Sequence, residues 1–129
     1  MPEPRVVKSP EGLRGGLNES GTDIGAFLVV SWDTTFEQVV LPAAQASPMA
    51  GVTTEVFTDG DGVRYTLQTE GMAKCTAGAA ISIGDEVMPE TTGKVNTRTG
   101  TKSIVGTAKT AAAADGDIVE VELKLQVGA

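Results

Sequence analysis

The chain contains no histidine and a single cysteine, Cys75. Without histidine neither a Ser-His-Asp nor a Cys-His pair can form, and the commonest zinc ligand is missing. One thiol cannot build a thiolate metal cluster or an internal disulfide. Lys74 beside Cys75 could favour the thiolate, but a lone cysteine in a strand-like segment is more often a small packed hydrophobe. Asp59-Gly60-Asp61-Gly62 resembles the opening of a calcium loop yet lacks the third oxygen ligand and the distant bidentate Glu. It reads better as a turn, and Asp115-Gly116-Asp117 takes the same reading. Gly12-Leu13-Arg14-Gly15-Gly16 is glycine-rich, but no Gly-Lys-Ser/Thr follows to cradle a phosphate. Asn18-Glu19-Ser20 fits a glycosylation acceptor in a sequence whose first residues show no secretory signal. Asp85 and Glu86 are neighbours on an expected strand, so they point to opposite faces and cannot flank one bond. These residues give an expectation of no enzyme, no cofactor and no metal.

The bulk properties limit partners as well. The net charge is −7 over 129 residues, and the basic residues are dispersed. A phosphate backbone needs clustered Lys and Arg, so a nucleic-acid partner is not expected. No apolar run approaches the roughly 20 residues of a membrane-spanning helix, so no membrane partner is expected either. The start of the chain has no apolar signal core, which places synthesis in a cytoplasm.

The elements that must carry these residues are short strands. Hydrophobic residues make up 40% and charged residues 21%, so the composition is globular, while aromatics are only 4% and Gly, Ala, Val and Thr are abundant. Residues 1–23, rich in Pro and Gly, keep neither helical nor strand period and read as a flexible N-terminal arm. Its candidate contact residues are Val6, Val7, Leu13, Arg14 and Leu17. From residue 24 to 129 a single β domain is expected. Strands are read over 26–30, 36–40, 49–57 and 63–67, with an Ala-rich connector from Pro42 to Pro48 that could make one helical turn. Asp59–Gly62 is the expected hairpin between the third and fourth strands. Further strands are read at 86–88, 94–97, 103–108 and 117–126. In the last, Val119, Val121, Leu123 and Leu125 alternate with charged residues, the clearest strand signal in the chain.

Gly71 to Val87 reads as a strand, a small-residue turn and the start of another strand, and it separates two halves, 24–71 and 72–129. Ile24-Gly25 matches Ile83-Gly84, Gly51 matches Gly106, and Asp61-Gly62 falls near Asp115-Gly116. The expectation is an all-β fold, a small β-barrel or β-tulip-like sandwich, made from two related β units.

An ordered series of motifs resembles the capsid cement, or head decoration, proteins of tailed bacteriophages. It runs through Ala77-Gly78-Ala79-Ala80-Ile81, Gly84-Asp85-Glu86-Val87, Gly93-Lys94-Val95, Val105-Gly106-Thr107-Ala108 and Gly116-Asp117-Ile118-Val119-Glu120-Val121. The resemblance covers residues 62–125 strongly and 24–57 weakly. It implies a virion protein on the outer capsid surface, bound to the major capsid protein, commonly as a homotrimer, and stabilising the expanded shell. The competing expectation is a small binding module for another protein or a carbohydrate. Its sugar version is weakened because Trp32 and Tyr65, the large polar-tipped aromatics, lie in different segments.

Overall fold

A computed structural model of the protein describes residues 13–35, 38–45 and 48–128. The described residues form ten strands: β1 (Leu13–Asn18), β2 (Val29–Trp32), β3 (Gln38–Val40), β4 (Gly51–Thr53), β5 (Arg64–Gln68), β6 (Gly71–Thr76), β7 (Glu86–Pro89), β8 (Val95–Thr97), β9 (Ile104–Ala108) and β10 (Ile118–Gln126). The fold is all-β, and no helix occurs among the described residues, the Pro42–Pro48 connector included as far as it is described.

Strands β1 to β5 close into a barrel in the order β1-β3-β2-β4-β5. Strands β6 to β10 form a second sheet in the order β6-β10-β9-β7-β8. Read from corresponding ends, these orders are the same: β6 stands to β10, β9, β7 and β8 as β1 stands to β5, β4, β2 and β3. Closure also corresponds. In the barrel β1 pairs parallel with β3 through Leu17–Gln38 and Asn18–Val39, and beyond β6 the parallel bridge Ala77–Val95 joins the corresponding places.

Backbone hydrogen bonds fix the register between the units. Ile24 and Phe57 exchange both bonds, as do Ile81 and Ala112; Phe27 N donates to Thr53 O as Gly84 N donates to Ala108 O; Gly60 N donates to Asn18 O as Gly116 N donates to Ala77 O. Gly51 opposes Val30 and Gly106 opposes Val87, in agreement with the sequence match of those glycines. The other two sequence matches are off by two residues. Ile24 corresponds to Ile81 rather than Ile83, and Asp59-Gly60 corresponds to Asp115-Gly116. In the first of these the glycine spacing does not align because the first unit has Phe27 where the second has Gly84, and both adopt positive φ (63° and 94°).

The structure corrects the arm. Leu13 to Asn18 are a barrel strand, paired antiparallel with β5 from Leu13–Gln68 to Leu17–Arg64. Residues 19–23 continue in the same unit, Asp23 accepting from Asp59 N. The arm expected over 1–23 therefore cannot extend past Gly12, and residues 1–12 lie outside the described residues. Strand β1 shows no period because its buried positions are Gly16 and the polar Asn18 rather than large apolar residues. A Cβ on buried Gly16 would come within 2.9 Å of Leu67 Cδ1 and 3.1 Å of Val39 Cγ1, so the bare backbone lets the barrel wall pack. A second correction concerns the third strand, expected over 49–57. It ends at Thr53, because the chain turns away to pair Phe57 with Ile24, and Asp59–Gly62 sits in a long loop rather than a two-residue hairpin.

Alternate residues of the barrel serve two cores. Val30, Val39, Ile24, Phe57 and Leu67 fill the barrel, with Phe57 and Tyr65 stacked at a 5.0 Å ring separation. Val29 and Val52, on the opposite faces of β2 and β4, join the core of the second sheet around Cys75, Val87, Val105 and Val119. Each such buried side chain contributes about 1.5–3 kcal/mol, so this shared layer ties the two units together. Backbone bonds reinforce it: Val29 N to Gly93 O at 2.7 Å, Thr76 N to Phe27 O at 2.9 Å and Ser103 N to Gln45 O at 2.9 Å.

Candidate functional site

The residues singled out for chemistry turn out to be structural. Cys75 is fully buried in β6, and loss of water around its sulfur pushes the thiol up to about 12. It is neutral and packed, not an activated nucleophile. Asn18 is buried as well; its Nδ2 donates to Phe57 O at 2.7 Å and Thr22 O at 2.9 Å, and its Oδ1 accepts from Ser20 N at 3.0 Å. That side chain knits β1 to the following loop, so it is no acceptor for a glycan in the folded protein.

The Asp59–Gly62 carboxylates are engaged by neighbouring donors, one in the loop after β1 and two just beyond them. Asp59 Oδ1 accepts from Gly21 N at 2.8 Å, and Asp61 accepts from Val63 N at 3.0 Å and from the Tyr65 hydroxyl. The Tyr65 hydroxyl, then the Val63 amide, hold the Asp61 carboxyl below its ordinary range by stabilising the anion. Asp85 Oδ2 accepts from Ser82 N and Thr97 Oγ1, both at 3.1 Å, whereas Glu86 faces Arg98 at 3.4 Å. The two carboxylates thus work on different neighbours. Among the described residues no group of three or more Cys, Asp or Glu is placed to hold a metal ion.

Of the expected contact residues, Val6 and Val7 lie outside the described residues, and Leu13, Arg14 and Leu17 belong to β1. Leu17 is half-buried in the barrel wall. Trp32 and Tyr65 both pack half-buried against the barrel core, so neither forms an open stacking platform.

Two other surface features had no sequence signal. The first is a set of exposed apolar side chains, led by Ile83 at 68% exposure, with Met72 on β6 and Ile118 on β10. The second is a pocket of about 330 Å³ where the β7–β8 turn meets the loop before β10. The Ala77–Val95 bridge brings these distant segments together, and Lys94 Nζ reaches Asp115 Oδ1 at 2.9 Å across the opening. In the sequence, Lys94 and Asp115 sit in separate turns, and nothing local links them.

These features define a class: an all-β protein of two sheets with one strand order, whose polar residues mostly serve its own loops. A family model described as phage cement protein matches residues 37–123, from β3 into β10 and well over half of the chain. The chain belongs to that family, and is thus a structural protein of the phage virion. Strands β1 and β2 precede the matched region. A solved structure of the same fold is the head fiber gp8.5 N base of bacteriophage phi29, with a TM-score of 0.70 at 15% identity, covering 87% of this chain and 92% of that one. Among curated proteins, no sequence matches.

Proposed function

We propose that the protein is a decoration protein: it seats on the outer surface of a phage capsid, binds the major capsid protein and stabilises the expanded shell. The observation that carries this reading is the family match across residues 37–123. The bound unit is a homotrimer, added after synthesis in the host cytoplasm. The role is non-enzymatic and needs no cofactor, in keeping with carboxylates and a thiol engaged in the fold itself. A net charge of −7 suits a position outside the shell, away from packaged DNA.

Stabilisation would follow from mass action. A ligand that binds only the expanded shell lowers the free energy of that state in proportion to the logarithm of its free concentration over its Kd. Contacts would come from Val6 and Val7 in the segment before β1, with Leu13 and Arg14 at its root.

The test adds purified protein to expanded capsids that lack it. Saturable binding and a raised disruption temperature are expected, with copies grouped in threes when imaged. Absence of binding across a range of salt concentrations would sink the reading. Removal of residues 1–12 is expected to leave the barrel folded and weaken binding; unchanged affinity would discard the arm as a contact element. Removing residues 1–22 is no clean test, because it deletes β1 and opens the barrel.

A further inference from the structure

The pocket at the β7–β8 turn has a composition that selects its ligand. Its volume of about 330 Å³ lies at the lower end of small-molecule sites, roughly 300–1,000 Å³. The lining side chains are Glu90, Thr91, Thr92, Lys94, Asn96 and Asp115, every one a hydrogen-bonding group, with Gly78 completing the wall. No aliphatic or aromatic side chain lines it, so an apolar ligand would gain little there.

Charge narrows the choice further. Two carboxylates, Glu90 and Asp115, oppose one ammonium, Lys94, so a phosphate or other bare anion is repelled. A divalent cation would meet the Lys94 ammonium. What matches is a neutral ligand dense in hydroxyls, since each hydroxyl both donates and accepts. The Lys94–Asp115 pair sets a donor beside an acceptor 2.9 Å apart, the arrangement a vicinal diol satisfies with one hydroxyl on each group.

Glu90 is also held in place. Glu90 Oε1 accepts from Gln45 Nε2 at 2.8 Å and Oε2 from Asn96 Nδ2 at 3.3 Å, which fixes the carboxylate while leaving lone pairs free. The turn itself is closed by Glu90 N to Lys94 O at 2.8 Å and Gly93 N to Glu90 O at 2.9 Å. Preorganisation of this kind reduces the entropy lost on binding.

We propose that this pocket binds a neutral hexose unit through its vicinal hydroxyls, with Lys94, Asp115 and Asn96 as the principal contacts. With no aromatic face to stack on, a single unit binds weakly, with Kd about 1–10 mM. The unit can be a free sugar or the end of a glycan chain, and the inference does not depend on the capsid reading.

The experiment is an amide NMR titration of the full chain with the methyl glycosides of glucose, galactose and mannose, each taken to about 100 mM. Saturable shifts centred on Gly78, Thr91 to Lys94, Asn96 and Asp115 are expected with at least one of them. Asp115→Ala and Asn96→Ala should each weaken that affinity about tenfold or more, with circular dichroism verifying the fold. The two substitutions lie on different elements, so one remains informative if the other unfolds. A matching trisaccharide that binds no tighter than the glycoside assigns a single-unit site; tighter binding assigns a chain end with further contacts. No saturable shift from any of the three sugars, or shifts elsewhere that both variants retain, would overturn the proposal. Capsid addition with Asp115→Ala, run in parallel, keeps this outcome separate from the fate of the decoration reading.

Discussion

Val29 donates its backbone N–H to the carbonyl of Gly93 at 2.7 Å, so the first residue of β2 is bonded to the tip of the β7–β8 turn in the other sheet. Gly93 holds φ at +86°, and a Cβ there would lie 2.9 Å from Leu28 Cβ and 3.0 Å from Leu41 Cδ2. The turn can approach the barrel so closely only because the residue has no side chain.

Gly93→Ala is therefore expected to cost between about 2 and 5 kcal/mol, the sum of a left-handed backbone and an overpacked contact. Gly116→Ala supplies the comparison. Gly116 has a similar φ of +94° but nothing within 4 Å of its would-be Cβ, so only the backbone part, about 1–2 kcal/mol, applies. Urea denaturation of both variants measures the difference. Equal losses would mean that the turn does not need its close seat on the barrel.

Gly106 in β9 answers to packing alone. A Cβ there would fall 2.0 Å from Glu122 O and 2.8 Å from Glu122 C in β10. Backbone cannot swing aside as a side chain tip can, so Gly106→Ala must part β9 from β10. A loss of about 3 kcal/mol or more is expected. A variant with the wild-type urea midpoint would contradict the register described for these strands.

Cys75 gives a reporter of unfolding. A disulfide reagent at mild alkaline pH should leave the folded protein unlabelled and modify it fully in urea. The thiol also makes stability depend on pH. Its ordinary value of 9.0 is raised to about 12 in the fold, so the unfolded chain releases the proton first. Its contribution is fully present below pH 9 and is lost as pH rises toward 12. Cys75→Ala should flatten that part of the stability profile, as measured by denaturation at matched pH values. A profile of unchanged slope would show that the thiol is solvated.

Asp61 should titrate below its ordinary 3.8, because the Tyr65 hydroxyl and the Val63 amide both stabilise its anion. A depressed carboxyl pKa favours the fold above 3.8 and loses that contribution as pH falls through the folded value. Carboxyl NMR titration of wild type and Tyr65→Phe tests this. The variant should move Asp61 up toward 3.8, and an unmoved titration would rule out the tyrosine as the main cause.

The sequence reveals some parts of this fold far better than others, for physical reasons. β10 was legible because one face is buried and the other wet, so Val119, Val121 and Leu123 alternate with Glu120, Glu122 and Lys124. β6, the turn after it and β7 were legible from small residues and glycines at the right places. β1 was not, since its inward position is Gly16 and its partners are far along the chain. Phe27 lies in an apolar run with strand propensity, yet it sits at positive φ, held by bonds to Thr53 and Thr76 that local propensity does not contain. The pocket was hidden for a similar reason: the Ala77–Val95 bridge, not any motif, sets Lys94 against Asp115.

The parallel pairing of β1 with β3 leaves the first sheet without a free strand edge. Any chain that meets this unit finds no backbone ladder to extend, so strand-by-strand polymerisation through the barrel is blocked. Crowded neighbours must then recognise it by side chains and loops, which can be tuned one residue at a time.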